Sequence, residues 1–347
     1  MKKSLLALAV LAAVAGSAQA QSNVTIYGVL DMALQHENRG GAAGSITALD
    51  SGIQSGSRLG FKGSEDLGGG LKANFQLEMG VNADTGASSQ GGLTFGRQAW
   101  VGLSGEFGSV NMGRQYTPIF IATDTIDPWD AGFNSTGGGA QAGQGTSTAG
   151  TLGLFGTPFR TNNTVNYTTN NLSGFTGSLA YSFGEVAGDT SALRNIGLSG
   201  IYADGPIQAA IAYNTNNDAT GKAKKITFLG GIYDFSVAKL HAAYGKTTTD
   251  AGYVGPVDTK EWMIGTTVPF GAANLIATYA SVTNNLAATA GKGQQFAIGG
   301  TYSLSKRTNL YTNYARTTND TNSNAGGMAA ANGQTDSLIN VGIRHRF

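Results

Sequence analysis

The feature that most constrains this chain is a two-residue alternation that recurs along its length. In Leu71-Lys-Ala-Asn-Phe-Gln-Leu-Glu-Met79 the apolar side chains Leu71, Ala73, Phe75, Leu77 and Met79 fall on one side. Lys72, Asn74, Gln76 and Glu78 fall on the other. A helix would spread those polar groups around its axis, whereas a strand sorts all of them to one face. The pattern returns in 24–35, where Val24, Ile26, Leu30, Met32 and Leu34 oppose Thr25, Tyr27, Asp31 and Gln35. It returns again in 175–183, 239–244, 296–304 and 339–347. In the last of these, Ile339, Val341, Ile343, His345 and Phe347 oppose Asn340, Gly342, Arg344 and Arg346.

A soluble sandwich also alternates, with its polar face in water. Three features favour a membrane barrel instead. The strands approach the ~9–11 residues that a tilted strand needs to cross a bilayer. Aromatic residues gather near strand ends, at Tyr181, Phe183, Tyr233, Phe235, Tyr244, Phe270, Tyr279 and Tyr302, as interfacial girdles do. Short and long connections also alternate. Seven tight turns are legible, at 66–70, 105–108, 170–174, 203–206, 234–236, 269–271 and 304–308. Each joins two strands and one strand remains at either end, which predicts about 16 strands with both termini on the short-turn side. Long Gly-, Ser- and Asn-rich connections fall between, around 36–56, 80–94, 115–159, 184–194, 214–224, 247–259, 282–293 and 317–335.

The N-terminus agrees with export. Lys2 and Lys3 precede an apolar run from Leu5 to Ala15, and Ala18-Gln-Ala20 offers a small-x-small cleavage site. Residues 1–20 therefore read as a signal peptide and 21–347 as one barrel domain. The apolar run is too short for a spanning helix of roughly 20 residues. Removing the leader leaves 20 basic and 21 acidic side chains, a net charge of −1. No basic excess exists to neutralise phosphates, so nucleic acid is not an expected partner. Cysteine is absent, so stability cannot come from disulfides.

Several segments together resemble the general porins of Gram-negative outer membranes, and more narrowly their beta-proteobacterial branch. They are Val24-Thr-Ile-Tyr-Gly-Val-Leu-Asp31, the stretch Ser57-Arg-Leu-Gly-Phe-Lys-Gly-Ser-Glu-Asp66 with its Gly68-Gly-Gly70 turn, Phe95-Gly-Arg-Gln-Ala-Trp-Val-Gly-Leu103, Met112-Gly-Arg-Gln115 and Val341-Gly-Ile-Arg-His-Arg-Phe347. The resemblance spans the mature chain. It implies an all-β, 16-stranded antiparallel transmembrane barrel, assembled as a homotrimer in outer-membrane lipid, with the long third loop folded into the lumen. It implies a pore constriction with Arg58, Arg97 and Arg160 on the wall, and Asp127 and Asp130 on the loop with Asp124 nearby. It further implies that Phe347 ends a C-terminal signal read by the barrel-assembly machinery. His345 stands where other branches carry an aromatic residue, and the Gly-rich stretch 137–150 departs from the family pattern.

Strand parity adds its own argument for Arg58. Arg58 and Lys62 lie opposite Leu59 and Phe61, and an arginine facing mid-bilayer lipid costs about 2–4 kcal/mol. Lumen placement follows for both. Lys72 and Arg114 are counted as further lumen cations. Arg97 shares its parity with Ala99, Val101 and Leu103, so a luminal Arg97 would turn Trp100 outward; the pattern alone leaves this open. For Arg160 a solvated loop charge is the competing reading. Cations outnumbering acids in a narrow passage predict weak anion preference.

The expected function is a general diffusion pore for ions and small hydrophilic solutes, with no enzyme activity and no cofactor. His36, His241 and His345 are too scattered for a metal site. Gly68-Gly-Gly70 lacks the Gly-Lys-Ser/Thr ending of a phosphate loop. A solute-specific channel and a loop-based adhesin on a barrel are the alternatives.

Overall fold

The computed structural model describes residues 23–41, 44–133, 157–287, 290–322 and 331–347. The expected leader at 1–20 and the Gly-rich stretch 137–150 lie outside them. Eighteen strand segments form one antiparallel sheet. They are β1 (Asn23–Asn38), β2 (Ser45–Ser51), β3 (Arg58–Gly68), β4 (Leu71–Asn82), β5 (Ala87–Ser88), β6 (Gln98–Gly105), β7 (Gly108–Tyr116), β8 (Arg160–Thr168) and β9 (Phe175–Ser182). There follow β10 (Asn195–Asp204), β11 (Ile207–Asn217), β12 (Ala223–Asp234), β13 (Lys239–Thr249), β14 (Asp258–Phe270), β15 (Ala273–Asn284), β16 (Gly291–Ser303), β17 (Thr308–Asn319) and β18 (Thr335–Arg346).

Two segments are not separate staves. β5 is a two-residue bridge within the β4–β6 connection. β2 and β3 both pair with β1, on its upper and lower halves, and form one broken wall strand. Sixteen staves remain, and β18 pairs with β1 over Val29–Asn38 to close them. Closure leaves no unpaired edge, as a sheet in hydrocarbon requires. All seven tight turns join neighbouring strands, and the start of β1 and the end of β18 lie at that rim, where Gly28 N donates to Phe347 O at 3.0 Å.

The alternation becomes two rows. Val24, Ile26, Leu30 and Leu34 of β1 are exposed, while Asp31 and Gln35 between them are fully buried. Ile211, Leu229, Leu240, Tyr244, Phe296, Tyr302, Ile339 and Val341 continue the exposed apolar band around the barrel. A band of that extent suits lipid and not water.

The expected first loop, 36–56, is shorter than the sequence suggested. β1 and β2 extend the wall to Asn38 and Ser45, and the chain leaves it at 52–57 instead. Asp31 holds that detour: its Oδ2 accepts from Ser55 N at 2.6 Å, and its N–H donates to Ser57 Oγ at 3.0 Å. Tyr311 Oη also donates to Asp31 Oδ1. Ile53, thrown inward, packs with Trp129, Phe133 and Tyr311.

The one described α-helix, α1 (Pro118–Ile126), follows β7. Thr117 caps it by accepting from Phe120 N at 3.1 Å, and Pro118 takes the first turn, where no N–H is needed. Its Ile119, Ala122 and Ile126 pack with Ala210, Ala212, Ile226 and Phe228, all on rows opposite the exposed Ile211 and Leu229. Inner-row glycines make room for it. A Cβ on Gly230 would sit 2.9 Å from Ile126 Cγ2, and one on Gly197 2.9 Å from Pro118 Cδ.

Candidate functional site

Arg58, at the start of β3, stands on the inner row and donates from Nη2 to Ser55 Oγ at 2.7 Å. Across the ladder, Glu78 of β4 lies on the same face. Its Oε1 accepts from Arg97 Nε at 2.7 Å, with both side chains 5% exposed. Its Oε2 accepts from Tyr27 Oη at 2.8 Å. Arg97 lies in the lead-in to β6, one residue before the strand, and its N–H donates to Glu78 O at 3.1 Å. Tyr116, the last residue of β7, faces Arg160, the first of β8. Tyr116 Oη accepts from Arg97 Nη2 at 2.8 Å and from Arg160 Nη2 at 2.9 Å. The Arg160 guanidinium also lies 4.5 Å from the Tyr116 ring centroid, a cation–π contact. One phenol thus fixes two like charges side by side.

Arg58, Arg97, Tyr116 and Arg160 line a cavity of about 290 Å³ together with Asp124, Asp130, Arg344 and Arg346. Five guanidinium groups border it. Asp124 and Asp130 are the acids that line it, while Glu78 is paired to Arg97 and is not among the lining residues. Burial and the charges of Asp127 and Asp130 push the Asp124 carboxyl up to about 7. Burial raises the Asp130 carboxyl as well, against the pull of Arg344 and Arg346. A neighbouring cavity of about 410 Å³ shares Asp130 and Arg344 and adds Asp127, Trp129, Lys239 and His241. His241 Nδ1 lies 2.8 Å from Ile126 O, the carbonyl at the C-terminus of α1, so this nitrogen carries the proton.

The structure thus brings Arg58, Arg97, Arg160, Asp124 and Asp130 to one cavity. Asp127 is not among its lining residues. Its carboxylate accepts from Trp129 N and Ala131 N, shaping the turn after α1, and it faces the second cavity. Lys62 lies over Tyr27, 5.3 Å from the ring centroid. Lys72 is exposed beside the β3–β4 turn, opposite Asp66. Arg114 is not a lumen residue of this group. It stands opposite Ala99, two residues along from the exposed Met112–Val101 pair and so on the same outer row, and donates to Gly96 O and Asn162 Oδ1.

The coupling of Arg97 to Trp100 also fails. Arg97 points inward, yet Trp100 pairs with Gln76, which donates to the inward Tyr27, while Val101 and Leu103 are the exposed residues. Parity holds only inside a ladder, and Arg97 lies outside it. Four residues went unassigned from sequence: Glu78, Tyr116, Arg344 and Arg346. Three of them had the right parity, but nothing local says that β18 closes on β1 and brings Arg344 beside Arg58.

The family described as Gram-negative porin matches residues 7–322. The chain belongs to the Gram-negative porin family. It is 37% identical to an outer membrane porin protein of Delftia acidovorans and 35% identical to one of Bordetella pertussis, each match covering both chains in full. Among solved structures, an anion-selective porin from Comamonas acidovorans superposes with a TM-score of 0.80 at 32% identity, covering 94% of this chain and all of that one. An outer membrane protein of Vibrio cholerae shares the fold, with a TM-score of 0.68 at 16% identity. This porin is accordingly an outer-membrane protein, and its family consists of channels.

Proposed function

We propose that this porin is a general diffusion channel with a weak preference for anions, and that the cavity bordered by Arg58, Arg97 and Arg160 is its constriction. Asp124 and Asp130 supply the opposing charge, from a segment that narrows the lumen. The observation that carries the reading is the convergence of five arginines on a cavity lined by two acids, with Glu78 paired to one of the arginines. Charge rows across a narrow, low-dielectric passage produce a transverse field that orients dipolar solutes, and the cationic excess raises the local anion concentration. The likeness to an anion-selective porin supports the same sign.

The reading extends to assembly. The outer rows of β8–β17 carry Tyr167, Tyr202, Tyr233, Tyr244, Trp262, Tyr279, Tyr302 and Tyr314, whereas those of β18, β1, β3, β4, β6 and β7 carry no tyrosine or tryptophan. A sector that meets another subunit needs no interfacial girdle. This supports a homotrimer packed through that sector, with the short-turn rim and both termini periplasmic. The outward alternation ending in Ile343 and Phe347 is the segment offered to the barrel-assembly machinery.

Planar-bilayer recording tests the constriction. Arg58→Ala and Arg160→Ala should each move the reversal potential toward cations while raising conductance slightly. Lys72→Ala, at the rim, should move it less. Equal shifts from all three would place the selective charge elsewhere.

A further inference from the structure

Outside the barrel, one outer row runs in register across four strands: Leu275, Gly300, Thr312 and Val341. The two small residues in its middle leave a groove of about 540 Å³ in the apolar wall. Ile298 and Tyr314 wall it on one side, and Tyr302 and Leu310 on the other. Ile298 and Tyr302 are about 13 Å apart along β16. The dent is built into the backbone, since a Cβ on Gly300 would sit 2.3 Å from Asn274 O. Just past Leu310 and Tyr302, the β16–β17 turn exposes Lys306 and Arg307. Among the described residues neither takes part in an ion pair.

We propose that this groove binds an anionic glycerophospholipid, with one acyl chain along the row and the phosphate held by Lys306 and Arg307. Two observations select this occupant. The groove lies mainly on β15–β17, in the tyrosine-bearing sector assigned above to the bilayer, with Tyr302 and Tyr314 in its lining and only its far edge formed by Ile339 and Val341 of β18. An unpaired cation pair at one end of a carbon-lined channel complements a headgroup phosphate joined to an acyl chain. The geometry also explains why the exposed side chains here are large around a small centre, where a uniformly filled row would cover more area.

Native mass spectrometry of the full-length porin, purified in a neutral detergent and supplied with dioleoylphosphatidylglycerol, tests this. The lipid should remain bound as a discrete adduct, and dioleoylphosphatidylcholine should be retained less. Lys306→Ala and Arg307→Ala should each lower retention about fivefold. Ala273→Trp, which fills the groove, should abolish it, while Leu229→Trp, on the outer row of β12, should not. Heat-modifiable migration of each variant reports that the barrel is folded. Equal retention of both lipids, or retention unchanged by Ala273→Trp, would overturn the site. Loss of the oligomer in Ala273→Trp without any lipid adduct in the parent would assign the groove to a second copy and overturn it equally.

Discussion

At the residue scale, the Arg97–Glu78 pair is the most consequential contact. Both groups are buried, so removing one partner leaves the other uncompensated, at a cost of about 3–5 kcal/mol. Glu78→Gln should lower the thermal midpoint of the barrel and shift the reversal potential toward anions; a stabilised variant with unchanged selectivity would contradict the assignment. Asp124 makes selectivity depend on pH. Its carboxyl, raised to about 7, is charged at pH 8 and neutral at pH 6. Acidification therefore removes a negative charge facing Arg58, and anion preference should rise between those limits. Asp124→Asn should hold the low-pH value throughout, and a wild-type potential flat from pH 8 to 6 would rule this out. Arg58 was legible because it sits inside a ladder with Leu59 and Phe61 to set its parity. Arg97 was not, because it precedes the first rung of β6. The family resemblance gave Asp127 as a constriction acid, but two backbone N–H groups donate to its oxygens and it faces the second cavity.

At the scale of elements, the strands and turns were readable since each carries its own signal: period two in the wall, Gly and Asn at the corners. The detour at 52–57 carried no such signal. It depends on Asp31, 24 residues before Ser55, accepting from Ser55 N. The seat of α1 was hidden for a similar reason. Small residues such as Gly197, Ala210, Ala212 and Gly230 look like weak strand formers until the helix they accommodate is known. Thr117 anchors that helix twice, by capping Phe120 N and by donating to Pro158 O at 2.6 Å. Thr117→Ala should cost about 1 kcal/mol locally. The expected sign is greater open-channel current noise with unchanged strand content by circular dichroism. Quiet channels of parental conductance would show that α1 does not depend on its cap.

At the scale of the molecule, closure is the central fact. It gives every stave a neighbour on each side and brings β18 beside β1, so Arg344 and Arg346 join residues nearly three hundred positions earlier. The aromatic asymmetry of the outer wall makes a prediction of its own. Chemical cross-linking should saturate at three copies, and membrane insertion should appear as triplets of equal conductance steps; single steps with monomeric cross-linking products would remove the proposed interface.

The most direct test of the account is the reversal potential of the wild-type pore across a tenfold KCl gradient at low ionic strength. Five arginines around a cavity lined by two acids predict chloride preference. Screening over ~8 Å at ~0.15 M salt should weaken it as both chambers are raised toward molar salt. A potassium-selective potential at low salt would contradict the assignment of Arg58, Arg97 and Arg160 to the constriction.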